Sequence, residues 1–187
     1  MAKSIGNHEY SIGGILLAAG AGLRFGMPKV LACDGAWLRA GVAALSGGGC
    51  DDVVVVLGAA VVDVPAPARA VVAANWSGGV SNSVRAGIAA LTDTAGFAVI
   101  TTVDTPDIDA AVVRRVLHAA CASDSALARA TYGGRPGHPV VIARRHWPQL
   151  LETLSGDEGA GPFLKARDDV VAVDCVDLAT GNDIDER

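Results

Sequence analysis

Short valine- and isoleucine-rich runs alternate along the chain with alanine-rich stretches in which apolar residues recur every three or four positions. The continuous apolar runs predict strands over Ile12–Ala18, Val53–Leu57, Ala70–Ala73, Phe97–Val103 and Val170–Val173, with the density expected of strands covered on both faces. Helical spacing predicts helices over Trp37–Leu45, Ser81–Leu91, Asp109–Ala122, Arg144–Leu154 and Phe163–Arg167. "SGGG" at Ser46–Gly49 ends the first of these, and Asp109 is placed to cap the third. Ser125–Tyr132 and Pro139–Ala143 flank the glycine-rich turn "YGGRPGHP", and "GDEGAGP" reads as a loop. Strand and helix in alternation imply an α/β fold, a Rossmann-like three-layer sandwich with a mostly parallel sheet. A single domain over residues 1–187 is expected, its first eleven residues a flexible N-terminus.

Composition narrows the function classes. Hydrophobic residues make up 51% and charged residues 19% of 187 positions, enough for one large core and too apolar for disorder. The net charge of −5 lacks the basic footprint of a nucleic-acid binder, although a few local cations can still hold a small polyanion. Cys33, Cys50, Cys121 and Cys175 are widely spaced, which excludes a CxxC pair and fits free buried thiols. No signal peptide and no bilayer-length apolar run is seen, so a cytoplasmic protein with no membrane partner is expected.

The candidate chemistry begins with "GGILLAAGAGLRFGMPK", Gly13–Lys29. A glycine loop after a strand can aim backbone N–H groups at an anion, and Arg24 and Lys29 add cations. A Walker A loop is excluded, because Met27 and Pro28 separate Gly26 from Lys29 and Val30 follows. A dinucleotide fingerprint is disfavoured, because Phe25 stands where the third glycine belongs. The stretch instead resembles the LAAGxxxRxGxxK signature of nucleotidyltransferases related to the molybdenum-cofactor enzymes MobA and MocA. Leu17, Ala18, Ala19, Gly20, Arg24, Gly26 and Lys29 are all in register.

Further segments carry the resemblance from about Gly13 to the C-terminus. "NWSGGVSNSVRAG" at Asn75–Gly87 is similar to the family segment that contacts base and ribose; by itself it reads more readily as a helix capped by Ser81 or Asn82. "TTVDTPDI" resembles the D-x-P motif that holds Mg²⁺. Gly137, His138, Pro139, Val140, Trp147, Gly156, Asp157, Gly159 and Ala160 match the MocA branch, and "GNDIDER" resembles a shortened form of the family's acidic tail.

The resemblance implies a fold of the nucleotide-diphospho-sugar transferase type. It also implies transfer of CMP from CTP to the terminal phosphate of molybdopterin, with release of pyrophosphate and an acceptor molybdoenzyme downstream. Arg24, Lys29 and Asp104 would be catalytic. Leu17, Ala18, Ala19, Gly20, Ala21, Gly22, Asn75, Ser81 and Ser83 would bind the nucleotide, and Gly137, His138 and Asp157 the phosphorylated pterin. Mg²⁺ would sit on Asp104 with Asp183 or Asp185, Asp183 being the preferred second ligand. Ala19, in LAAG rather than LAGG, points to CTP over GTP, since its methyl group narrows a base pocket toward a pyrimidine. Four alternatives stay open: a guanylyltransferase of the same fold, a sugar- or alditol-phosphate cytidylyltransferase, an NAD(P)H-dependent oxidoreductase, which Phe25 opposes, and a non-catalytic cofactor carrier.

Overall fold

A computed structural model describes residues 10–186 of the chain. Seven strands form one sheet: β1 (Ser11–Leu17), β2 (Asp52–Leu57), β3 (Arg69–Val72), β4 (Ala95–Thr102), β5 (Leu127–Tyr132), β6 (Arg135–Ala143) and β7 (Val171–Asp174). Their order is β3-β2-β1-β4-β6-β5-β7, parallel throughout except for β6, which runs antiparallel to both neighbours. The helices are α1 (Ala32–Gly47), α2 (Val80–Ala90), α3 (Ala110–Ala122), α4 (Trp147–Thr153) and α5 (Gly161–Lys165).

Successive strand residues point to opposite faces, and each face has its own core. Leu16, Val53, Val55 and Val99 pack with Leu38, Val42 and Leu45 of α1 and Val112, Val113 and Val116 of α3. Ile15, Val54, Val56 and Ile100 pack with Val84 and Ile88 of α2, Leu150 of α4 and Phe163 of α5. These are the helical layers of the expected sandwich.

Four expectations are corrected. The expected flexible N-terminus ran to Ser11, but Ser11 is the first residue of β1, pairs with Ala95 and donates its N–H to Thr94; Tyr10 packs on Phe97. The rest of that segment lies outside the described residues. The glycine-rich turn shrinks to Gly133 and Gly134, both at positive φ, while Arg135–Ala143 is strand. α2 begins after Gly79 with no side-chain cap: Asn82 instead donates its side-chain amide to the Asn75 carbonyl, and the Ser81 N–H bonds to Gly156. The cysteines are free, but only Cys50 and Cys175 are buried; Cys33 and Cys121 are exposed. Asp109 does cap α3, accepting from the N–H groups of Ala111 and Val112 at 2.8 and 3.2 Å. No helix among the described residues is long and apolar enough to cross a membrane.

Candidate functional site

At the carboxyl ends of β1 and β4 lies a cleft of about 500 Å³. These strands are adjacent and in register to their last residues, Leu17 opposite Thr102, so the loops that follow them emerge side by side. Leu17, Ala18, Ala19, Gly20, Gly22, Arg24 and Lys29 line it from the first loop, Asp104 from the second and Ser83 from α2. Asp185 lines it from the C-terminal tail, whereas Ala21, Asn75, Ser81, Gly137, His138, Asp157 and Asp183 are not part of this lining.

The glycine loop is shaped by close backbone contacts. Gly22 has φ +61°, and a Cβ there would collide with the Met27 carbonyl, so the turn closed by Gly26 N–H to Gly22 O depends on glycine. Gly20, by contrast, has open space where a Cβ would stand, so an approaching group can come close to its main chain. Phe25 is buried and packs its ring 5.2 Å from that of Trp37, anchoring the loop to α1.

Lys29 is the centre of the charge arrangement. Its Nζ donates to Asp104 Oδ2 and to Asp185 Oδ1, both at 2.8 Å. Burial pulls the lysine pKa down, but the hydrogen bonds and charges of the two carboxylates outweigh it and the net shift is upward. Arg24 reaches the other Asp185 oxygen at 3.3 Å from an exposed position. The tail that carries Asp185 is tied to the Asp104 loop at two further points. Ile184 N–H bonds to the Asp104 carbonyl at 3.0 Å, and Asp107 accepts from the N–H and hydroxyl of Thr180.

Asp104 Oδ1 is buried and has no hydrogen-bond partner. Burial, and then the charge of Asp104, push the Asp183 carboxyl above its ordinary pKa. Two carboxylates thus repel each other beside an unsatisfied oxygen, and such hard oxygen donors suit Mg²⁺, which needs few protein ligands when phosphate oxygens and water complete its shell. Asp185 is different: Lys29 already holds it, and its pKa is lowered. The two tail aspartates therefore separate into one beside Asp104 and one on the cations.

His138 lies on β6, where its Nδ1 donates to the Ile100 carbonyl at 3.4 Å and its own carbonyl accepts the Tyr132 hydroxyl at 2.7 Å. Burial lowers the imidazole pKa, opposed first by the Ile100 hydrogen bond and then by the charges of Asp183 and Asp104. Gly137 packs against the Tyr132 ring, leaving little room for a side chain. Asp157 is exposed on a loop whose Gly156 lies against Gly79, at the start of α2. Thr102 and Val80 also line the cleft; both lie inside segments with motif resemblance, "TTVDTPDI" and "NWSGGVSNSVRAG", but neither is a motif residue singled out from the sequence.

Residues 14–170 match the model of the MobA-like NTP transferase domain family. A nicotine blue oxidoreductase from Paenarthrobacter nicotinovorans is 38% identical over 92% of this chain and 91% of its own length. Rv0371c from Mycobacterium tuberculosis H37Rv superposes with TM-score 0.76 at 25% identity, covering 96% of this chain and 95% of that one. Its complex with manganese superposes at 0.67 with 24% identity, covering 90% of each chain. A nucleotidyl transferase from Methanothermobacter thermautotroptrophicus gives 0.71 at 22% identity, covering 88% of this chain and 87% of that one. The fold is that of the nucleotide-diphospho-sugar transferases. With its glycine loop, D-x-P loop and sheet order in place, the chain belongs to the MobA-like NTP transferase family.

Proposed function

We propose that the chain is a Mg²⁺-dependent cytidylyltransferase that joins CMP from CTP to the terminal phosphate of molybdopterin and releases pyrophosphate. The observation that carries this reading is the meeting of Lys29, from the glycine loop, with Asp104, from the D-x-P loop, at 2.8 Å beside the unpartnered Asp104 oxygen. A cation for phosphate and an oxygen for a metal stand together at the end of one strand pair. Asp104 and Asp183 would hold Mg²⁺, which when bound neutralises charge on the triphosphate. The manganese complex of Rv0371c supports a divalent-metal site in this fold.

In this reading the acceptor phosphate oxygen attacks the α-phosphorus of CTP, a new phosphoanhydride forms, the α–β bridge breaks, and pyrophosphate leaves. The acceptor is already anionic, so no general base is needed. Gly20 and Gly22 let the triphosphate approach the main chain. Lys29 and Arg24 exchange their carboxylate partner for phosphate oxygens and steady the charge on the leaving group. Ala19 and Ser83 line the cleft; they would meet the base and ribose, and the Ala19 methyl group would favour the smaller pyrimidine. The reaction is assigned to the cytoplasm.

A second reading, an oxidoreductase that uses a nicotinamide cofactor, draws on the 38% identity to nicotine blue oxidoreductase. Phe25, wedged against Trp37 in place of the third fingerprint glycine, speaks against it. Thermal shifts with CTP, GTP, ATP, UTP and NADPH, each with Mg²⁺ or with chelator, separate the readings, because a bound ligand stabilises the fold by mass action. The expected result is a Mg²⁺-dependent shift with CTP. A shift with GTP instead moves the assignment to guanylyl transfer, and a shift with NADPH alone overturns it in favour of the second reading.

A further inference from the structure

We propose that Arg129 is an anchor for the phosphate of the acceptor, a phosphomonoester, on the β5–β6 side of the cleft. This rests on the transferase reading above, which requires a phosphorylated acceptor. No motif includes Arg129. It lies in "LARATY", a strand otherwise made of small, apolar and hydroxyl or phenolic residues.

The residue stands out by its lack of a partner. Every other arginine among the described residues donates to a carbonyl, a carboxylate or a side-chain amide. Arg129 does neither; it is partly buried, and its Nε is fully buried without a hydrogen bond. Burial alone lowers its pKa, with no carboxylate acting on it. An arginine that merely lays its stem along the surface keeps its whole fork in water. Here part of the fork is withdrawn from water and nothing within the fold replaces the lost hydration, a costly arrangement unless an outside anion completes it.

Its position suits an acceptor. Arg129 pairs in register with Val140 of β6 and Ala172 of β7, two residues after buried Leu127, on the sheet face covered by α4 and α5. Val140 pairs in turn with Ile100 of β4, whose carbonyl lies against the His138 ring. Arg129 therefore stands one strand beyond β6 from β4, the strand that leads to Asp104. A phosphomonoester that presents one oxygen for attack near Asp104 keeps others free, and a planar guanidinium takes two of them at once.

The test uses the whole chain with phenyl phosphate as the probe, titrated in the presence of Mg²⁺ and a saturating non-hydrolysable CTP analogue. The nucleotide fills the Arg24–Lys29 cations, so the phosphate must find another site. Arg129→Gln is expected to weaken phenyl phosphate at least about tenfold, Arg129→Lys to recover part of the loss, and both to bind the CTP analogue as the wild type does. The ligand-free Arg129→Gln chain is expected to melt no lower than the wild type, since it loses a charge that has no partner. Equal phenyl phosphate affinity in wild type and Arg129→Gln overturns the proposal, as does a wild type that fails to bind the probe. Failure of the CTP analogue to bind the wild type instead overturns the transferase reading, and is read from a separate ligand.

Discussion

Lys29 holds two carboxylates at once, and they face different fates when a nucleotide arrives. In the proposed reaction phosphate would displace Asp185, whereas Asp104, with its unpartnered oxygen, would remain to face the metal. Asp104→Asn keeps the shape and removes the charge. It is expected to abolish the Mg²⁺-dependent part of the CTP thermal shift while the ligand-free chain still melts cooperatively; an unchanged shift would remove Asp104 from the site. His138 gives a pH test. Burial holds its folded pKa below the ordinary 6.5, and the Arg129 charge adds to that shift against the Ile100 carbonyl, Asp183 and Asp104. Below that value the unfolded chain takes up a proton that the folded chain resists. Stability from the neutral ring is therefore full above about pH 6.5 and is lost as pH falls toward the folded pKa. His138→Gln is expected to show a smaller fall in melting temperature than the wild type between pH 7.5 and 5.5. At this scale the sequence was legible where chemistry is local: the glycine loop and the D-x-P segment are contiguous strings. Arg129 was silent because its meaning is the absence of a partner, and only the folded neighbourhood reveals that.

At the scale of elements, the segment after β7 matters most. It crosses back over the sheet end, held to the D-x-P loop by Thr180 on Asp107 and by Ile184 on Asp104, and sets a carboxylate on the cations proposed for phosphate. An incoming triphosphate must displace that carboxylate. Asp185→Asn is therefore expected to tighten CTP·Mg²⁺ binding several-fold by calorimetry; weaker binding would instead make Asp185 a direct ligand. The acidic tail could be matched to a motif, but the division of labour between Asp183 and Asp185 could not. Lys29 and Asp185 lie 156 positions apart, and their pairing is set by the sheet rather than by spacing. The same limit applied to β6. Pro136, Gly137 and Pro139 carry turn signals, so the segment reads as a loop, yet it is pinned between β4 and β5 as their antiparallel neighbour. Tertiary pairing overrode local propensity there.

For the molecule as a whole, the alternation of strand and helix was the most legible feature, because it follows from burial on both faces of a parallel sheet. The same arrangement makes the site and the core depend on each other. Ile15 and Leu16 are neighbours in β1, yet one belongs to the core under α2, α4 and α5 and the other to the core under α1 and α3. Neither layer can be lost while the strand survives. The parallel register of β1 with β4 is also what delivers Lys29 to Asp104. Leu45 of α1 and Leu150 of α4 are fully buried on opposite faces, so alanine at either should cost about 2–5 kcal/mol. If the sheet couples the layers, each variant shifts the urea midpoint without changing the slope, the double variant adds the two losses within about 0.5 kcal/mol, and CTP·Mg²⁺ binding disappears in the same transition. A biphasic curve, or binding lost ahead of it, would mean that one layer unfolds alone and that the Lys29–Asp104 pair is held by its loops rather than by the sheet.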